Sequence, residues 1–507
     1  MTQAGQNFAW MKKIARKLHW YIHSTFPNIT VSPHSDDRLY FRESDQKNNV
    51  DTRVPSDEDL RVSVVWGVEI FGPAEVKGLY RQLHALGWAS SAQYGMRRSA
   101  TEWIKEMRTY GYGGNFNLGL VHRPNEVGFL SGYTGPVPKK AQYLLVNIVQ
   151  ISPTVTCVLV GFVLEEESSK AYELELITNR QTYHRPVYGK FTYETLGVDI
   201  QKRESIDTSR SELRDMTINW FGKHLRGFFH ATSNAVRLPT AELITTKREI
   251  LLKGYGEAVE ETKWANLLIP YGWNDVWTSA QYNGLRLRHG NFGGASPFHT
   301  IVTLQTEHLP ASDFESRGGQ SRQAIAFLYH ELLGMNLCKT AAMAMLQEIS
   351  KTLSDSRENL QTNARSYKEV LAAVERIKSF FDQSLGIPVT VSDLYNRSKE
   401  ARGYSWNFHN FKSASRVQGE ADAVLAETMR LNEKQLTERV LVEEAVTREH
   451  FEQIASILST REGVKTQRRM EYLTYISIFF AISSLIISIS PDTWLAVKGC
   501  IQRTIVR

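Results

Sequence analysis

The residues best suited to chemistry in this sequence lie between positions 264 and 299. Trp264, Trp273, Trp277, Tyr282, Arg286, Arg288, His289 and His299 fall there among several glycines and polar residues. Aromatic faces beside guanidinium groups on glycine-bearing loops can hold a planar or anionic ligand, a nucleotide included. The candidate ligand-binding residues are therefore Trp273, Trp277, Tyr282, Arg286, Arg288 and His289. The competing reading is that these aromatics are core, as most aromatics of a large domain are.

Motifs for catalysis were sought elsewhere along the chain. There is no GxxxxGK[ST] to wrap phosphates, and Gly111-Tyr112-Gly113 lacks the later glycine of a dinucleotide fingerprint. No GxSxG elbow occurs. His330-Glu331 opens an HELLG string without a second histidine four residues on, and one histidine does not hold zinc. His34-Ser35-Asp36-Asp37 reads as a polar turn before a strand-like Leu39-Tyr40-Phe41. Cysteines 157, 338 and 500 have no CxxC spacing, which argues against a disulfide scaffold or a cysteine zinc site. No catalytic residue and no metal ligand is assigned. The cofactor is left unknown, and a non-enzyme is expected.

Composition bounds the rest. The 507 residues are 42% hydrophobic and 22% charged, enough for several domain-sized units with a large core. Sixty Lys+Arg against 54 Asp+Glu leave +6, too small and too dispersed an excess to point to nucleic acid. Residues 1–26 have no continuous apolar h-region. Phe8, Met11, Ala15, Leu18 and Ile22 instead predict an amphipathic helix with a basic face.

The elements that must position any site follow from the hydrophobic pattern. Residues 62–70 predict a strand and Pro73–Leu86 a helix. Residues 141–164 are uncharged, rich in Val, Ile and Thr, and split by Pro153, which predicts a buried hairpin, with a second membrane span as the alternative. The fold class expected is an α+β cytosolic domain, then a long α-helical stalk, then a single C-terminal transmembrane helix. Its boundaries are 1–320 (mixed α+β), 321–412 (helical), 413–471 (stalk), 472–490 (transmembrane) and 491–507 (short amphipathic tail). In the stalk, Leu425, Met429, Leu436, Val440, Phe451, Ile454 and Leu458 form an apolar stripe, interrupted at Glu443. That stripe needs a partner, either the 321–384 helices, another subunit, or both. Residues 472–490 carry no charge, follow the basic Arg461, Lys465, Arg468 and Arg469, and begin with interfacial tyrosines.

The junction Arg469-Met470-Glu471-Tyr472-Leu473-Thr474-Tyr475-Ile476-Ser477-Ile478-Phe479-Phe480 resembles the start of the first transmembrane helix of CorA-type magnesium transporters. The resemblance covers about thirty residues. It implies an α/β cytosolic domain ahead of a stalk and, at its furthest, metal-ion conduction. The family's Gly-Met-Asn signature and second span do not follow here; Gly334-Met335-Asn336 lies far upstream.

The functional expectation is a membrane-anchored, oligomeric sensor or effector in a stress or defence setting. Its cytosolic domain would gate a membrane bundle that forms a pore or perturbs the bilayer. Ser477, Ser484 and Ser488 share one helix face and are the candidate pore-lining residues. The partners expected are membrane lipid, further copies of the chain, and a small anionic ligand or protein at the cytosolic domain. One alternative is a membrane-tethered enzyme with no recognisable motif; another is a divergent CorA-like ion conduit.

Overall fold

The computed structural model describes residues 35–89, 98–110, 113–124, 133–187, 192–231, 238–257, 262–270, 275–282, 284–290, 298–317, 319–360, 386–400, 411–417 and 419–488, with Leu18, Glu375, Leu495 and Lys498. In chain order the elements are α1 (Ser35–Asp51), β1 (Arg61–Phe71), α2 (Val76–Ala85), α3 (Ala100–Tyr110), β2 (Gly114–His122), β3 (Tyr133–Thr134), β4 (Ala141–Ser152) and β5 (Val155–Leu164). Then come α4 (Glu166–Ser169), α5 (Ala171–Ile177), β6 (Tyr183–Val187), β7 (Thr192–Leu196), α6 (Val198–His224), α7 (Phe228–Ala231), β8 (Thr240–Thr246) and α8 (Lys263–Leu268). The chain continues through β9 (Trp277–Ser279), β10 (Arg286–His289), β11 (His299–Gln305), α9 (Arg322–Leu360), α10 (Ile387–Ser398), β12 (Phe411–Ser413), β13 (Ala423–Val424) and α11 (Leu425–Ser488).

Eleven of these strands form one mixed sheet in the order β13-β12-β9-β10-β11-β8-β1-β5-β4-β2-β3, and β6 pairs with β7 apart from it. The expected hairpin over 141–164 is β4 and β5, paired antiparallel. Every residue of β5 is buried. A strand covered on both faces reads as an unbroken apolar run, which is why this one carries no charge.

Two glycines show what covers the faces. A Cβ on Gly67 of β1 would lie 2.5 Å from Thr217 of α6. One on Gly161 of β5 would lie 2.9 Å from His330 Nδ1 of α9. Gly161 pairs with Trp66, the neighbour of Gly67, so α6 and α9 sit on opposite faces. Side chains alternate along a strand, and a helix approaches this closely only where a glycine removes one.

A buried ionic network anchors α6. Arg210 donates from Nε to Glu242 of β8 at 2.7 Å, from Nη2 to the Leu268 carbonyl at 2.5 Å, and from Nη1 to Asp207 at 2.8 Å. Tyr172 donates its hydroxyl to the second Glu242 oxygen at 2.5 Å. Burial alone would raise the Glu242 carboxyl, but Arg210, His299 and Tyr172 together hold it down at about 2. Behind it, Thr240 and His299 Nδ1 lie 2.9 Å apart.

The chain divides into two compact units, residues 1–349 with 386–441, and residues 350–385 with 442–507. The sheet lies wholly in the first. In that unit α9 and α11 are joined by the buried pair Lys339–Glu433 at 3.1 Å and by a contact from Asn336 Nδ2 to Met429 Sδ at 3.5 Å. In the second unit Ser350 donates to Glu443 at 2.5 Å, and Leu353, Glu444, Thr447 and Phe451 are buried.

Four expectations are corrected. Among the described residues no helix is long and apolar enough to cross a membrane. This overturns the α+β cytosolic domain with a stalk and single C-terminal transmembrane helix, the single-pass membrane location, and the channel-like bundle built on it. The physical reason lies in length and content. Within the described residues the uncharged run of α11 covers Tyr472 to Ser488, about 25 Å at ~1.5 Å per residue against a ~30 Å hydrocarbon core. Tyr472, Thr474, Tyr475, Ser477, Ser483, Ser484 and Ser488 dilute it further, and one step back reaches Glu471. What stands in place of the expected class is a large mixed sheet with helices on both faces. Residues 35–41 are helical in α1 and not a turn followed by a strand. The amphipathic helix expected over 1–26 lies outside the described residues except for Leu18, which is helical and exposed.

Replacing Arg210 with Met should leave Glu242 buried and unpaired and cost ~3–5 kcal/mol in urea unfolding. The pH profile has a definite sign. Glu242 is held below its unfolded value of ~4.3, so its contribution is complete above about pH 4.3 and is lost as pH falls toward 2. It is on the order of 3 kcal/mol. Glu242→Gln should flatten the acid limb of stability in that window; an unchanged limb would remove the network from the account.

Candidate functional site

A cleft of about 900 Å³ opens in the first unit at the β9–β10–β11 end of the sheet. Three walls form it. Trp277, His289, Phe298 and Thr300 come from the strands and their ends. Thr340, Met343 and Gln347 stand at steps of three and four on α9. Leu425, Met429, Asn432, Leu436 and Arg439 repeat the same spacing on α11, so one face of each helix looks into the space. The segment 413–417, with Glu420 and Ala423, closes the rim.

The lining includes the apolar and sulfur-bearing side chains of Trp277, Phe298, Met343, Met429 and Leu436. Methionines adapt their shape to what they touch, and their sulfur makes favourable contacts with rings. Charge sits at the rim, where Arg416 pairs with Asp275 at 2.9 Å with both side chains about half exposed. Such a pair contributes little to stability. His289 Nδ1 lies 3.1 Å from Thr300 Oγ1, and burial pushes the imidazole down to about 4. At neutral pH it is therefore uncharged. Behind the α9–α11 wall, burial raises the Glu433 carboxyl and Lys339 opposes that rise.

The sequence-proposed residues divide. Trp277 and His289 line the cleft. Tyr282 is buried with its ring 5.9 Å from that of Tyr329, edge to face. Arg286 is committed to the fold, donating to the Leu252 carbonyl at 2.8 Å and pairing with Glu257 at 2.5 Å. Arg288 is half-buried on β10 and its guanidinium is pushed down by desolvation. Trp273 lies outside the described residues. Ser477 and Ser484 are exposed on α11, and Ser488 ends that helix.

Sequence reasoning missed Thr340, Met343 and Asn432. The available signal was the stripe Leu425, Met429, Leu436, which was read as packing surface. Met429 does meet α9, and on the same face it borders open space.

Other polar clusters work within the fold. Trp66 Nε1 donates to His330 Nδ1 at 3.1 Å, and burial holds that imidazole down at about 3. Glu69, fully buried, is 2.5 Å from His230 Nδ1 and accepts from the Phe229 amide at 2.8 Å. Among the described residues no three His, Cys, Asp or Glu side chains converge on a point where a metal could bind.

Because Arg286 is built into the fold, Arg286→Ala should lower unfolding free energy by ~2–4 kcal/mol in urea denaturation, through the orphaned Leu252 carbonyl and Glu257. A loss below ~0.5 kcal/mol would return it to the ligand-binding set. No protein-family model and no curated protein matches this chain.

Proposed function

We propose that this protein is a non-catalytic sensor module whose cleft binds a planar, largely apolar small molecule with one polar end. The cleft carries the reading. Its volume of about 900 Å³ falls in the range of small-molecule sites, which run to ~1,000 Å³. Trp277 and Phe298 offer ring faces, the two methionines follow the ligand's outline, and Asn432, Gln435 and Arg439 supply hydrogen bonds at the mouth. One wall is the first four turns of α11, which continues unbroken past Leu441. A ligand seated there touches the helix that leaves the first unit, which is what a sensor requires.

An enzyme would rest on His289 and Thr300, a base–hydroxyl contact in the cleft. A general base works best with a pKa near the operating pH, and His289 lies well below neutrality. That favours binding over turnover. The ion-conduit alternative needs a span that the described residues do not hold.

The test uses a fragment set of planar heteroaromatic acids and amides, read by thermal shift and calorimetry on the full chain. A ligand at ~100 times its Kd should add ~2.7 kcal/mol to stability. Thr428→Trp puts an indole into the cleft from a half-buried position, and should weaken any hit ~100-fold while leaving the apo melting temperature within ~2 °C. Hits that bind Thr428→Trp as well as wild type would place the site elsewhere.

A further inference from the structure

The cleft has an offshoot. A recess of about 10 Å³ lies under α9, lined by Trp66 and Val68 of β1, Pro239 and Ala241 at the start of β8, and Leu337 of α9. Phe298, Thr300 and Thr340 border both the recess and the cleft. All of these side chains are buried.

One rung of the sheet accounts for the space. Gly161, Trp66, Ala241, Thr300 and His289 are partnered in turn across β5, β1, β8, β11 and β10. Residues directly opposite one another share a face, and Gly161 puts this rung on the face that α9 covers. Trp66 packs against His330 there, and Thr300 and His289 form cleft wall. Between them stands Ala241, a single methyl where both neighbours carry larger side chains. The recess is the volume it leaves.

The polar side chains around the recess are already bonded within the protein. Trp66 Nε1 donates to His330 Nδ1 at 3.1 Å, Thr300 Oγ1 lies 3.1 Å from His289 Nδ1, and Thr340 donates to the Asn336 carbonyl at 3.0 Å. Thr240 Oγ1 accepts from Arg214 at 3.3 Å and lies 2.9 Å from His299 Nδ1. Space of this size holds about one water, which needs roughly two to four polar partners. A methyl group is of similar size and needs none.

We infer that the ligand of the cleft carries a methyl-sized apolar substituent, and that this group occupies the recess beside Ala241. Asn432, Gln435 and Arg439 at the mouth are exposed and the recess is buried, so the substituent sits on the ring edge opposite the polar end. The inference rests on the cleft reading and narrows its ligand to alkyl-substituted aromatic amides or acids.

The probes are indole-2-carboxamide and quinoline-2-carboxamide, with methyl or isopropyl placed in turn on each carbon of the benzo ring. Binding is read by calorimetry on the full chain. One methyl position should tighten binding ~4- to 10-fold over the parent, and isopropyl at that position should lose the gain. Ala241→Val fills the recess from β8 and should make the methyl compound and its parent bind alike. Val68→Ala widens it from β1 and should turn the preference toward isopropyl, which keeps a test in hand if the tighter variant does not fold. Parents that bind wild type better than Thr428→Trp, with no methyl position changing Kd by more than ~2-fold, overturn the recess and leave the cleft reading standing. A methyl gain that survives Ala241→Val overturns it as well. If no compound binds, or all bind Thr428→Trp as tightly as wild type, the cleft reading falls and this proposal falls with it.

Discussion

A guanidinium and a carboxylate shut away from water, Arg210 and Glu242, set where α6 lies on the sheet. Neither charge is tolerable alone in that interior, so the helix cannot slide by a turn without leaving one of them stranded. That single constraint propagates. It fixes Thr217 and Phe221 over the gap at Gly67, and through β8 it fixes the strand on which β11 aligns in parallel. β11 in turn carries Thr300 into the cleft. The site therefore inherits its geometry from an ion pair on the opposite side of the sheet.

The same logic operates once more between α9 and α11. Lys339 and Glu433 are both buried, and Thr437 returns its hydroxyl to the Glu433 carbonyl at 2.8 Å. Well-packed apolar residues of similar volume would hold two helices together at least as strongly. A buried pair differs in admitting one register, which keeps Met343 and Met429 facing the same space.

How much of this was legible beforehand depended on whether a signal was local. The β4–β5 hairpin was legible because a strand buried on both faces must be apolar throughout, and Pro153 marked its turn. The run from Tyr472 misled for a related reason. Absence of charge is necessary for a span but not sufficient, and the described part of that run, which reaches Ser488, is shorter than the ~20 residues a span needs. The cleft could not be read, because its walls come from residues near 277, 343 and 429 that only the fold brings together. The two cleft residues the sequence did find, Trp277 and His289, sit on adjacent short strands, close enough in sequence to be noticed as one cluster. Arg286 was singled out for its chemistry, yet the fold spends that chemistry on a carbonyl and Glu257.

The position of β1 has a consequence for how the chain is made. Its partners are β5 on one side and β8 on the other, and the hydrogen bond between Ser63 and Thr245 joins residues 182 apart. During synthesis at ~5–20 residues per second, β8 emerges roughly 10 to 40 s after β1. Strands β1, β2, β4 and β5 can pair among themselves in that interval, leaving one edge of β1 bare: Val62, Val64, Trp66 and Val68 with unpaired backbone groups. An open apolar edge is a template for pairing with other chains. The nascent chain thus passes through a stage in which its central strand is its most aggregation-prone surface, and the arrival of β8 ends it.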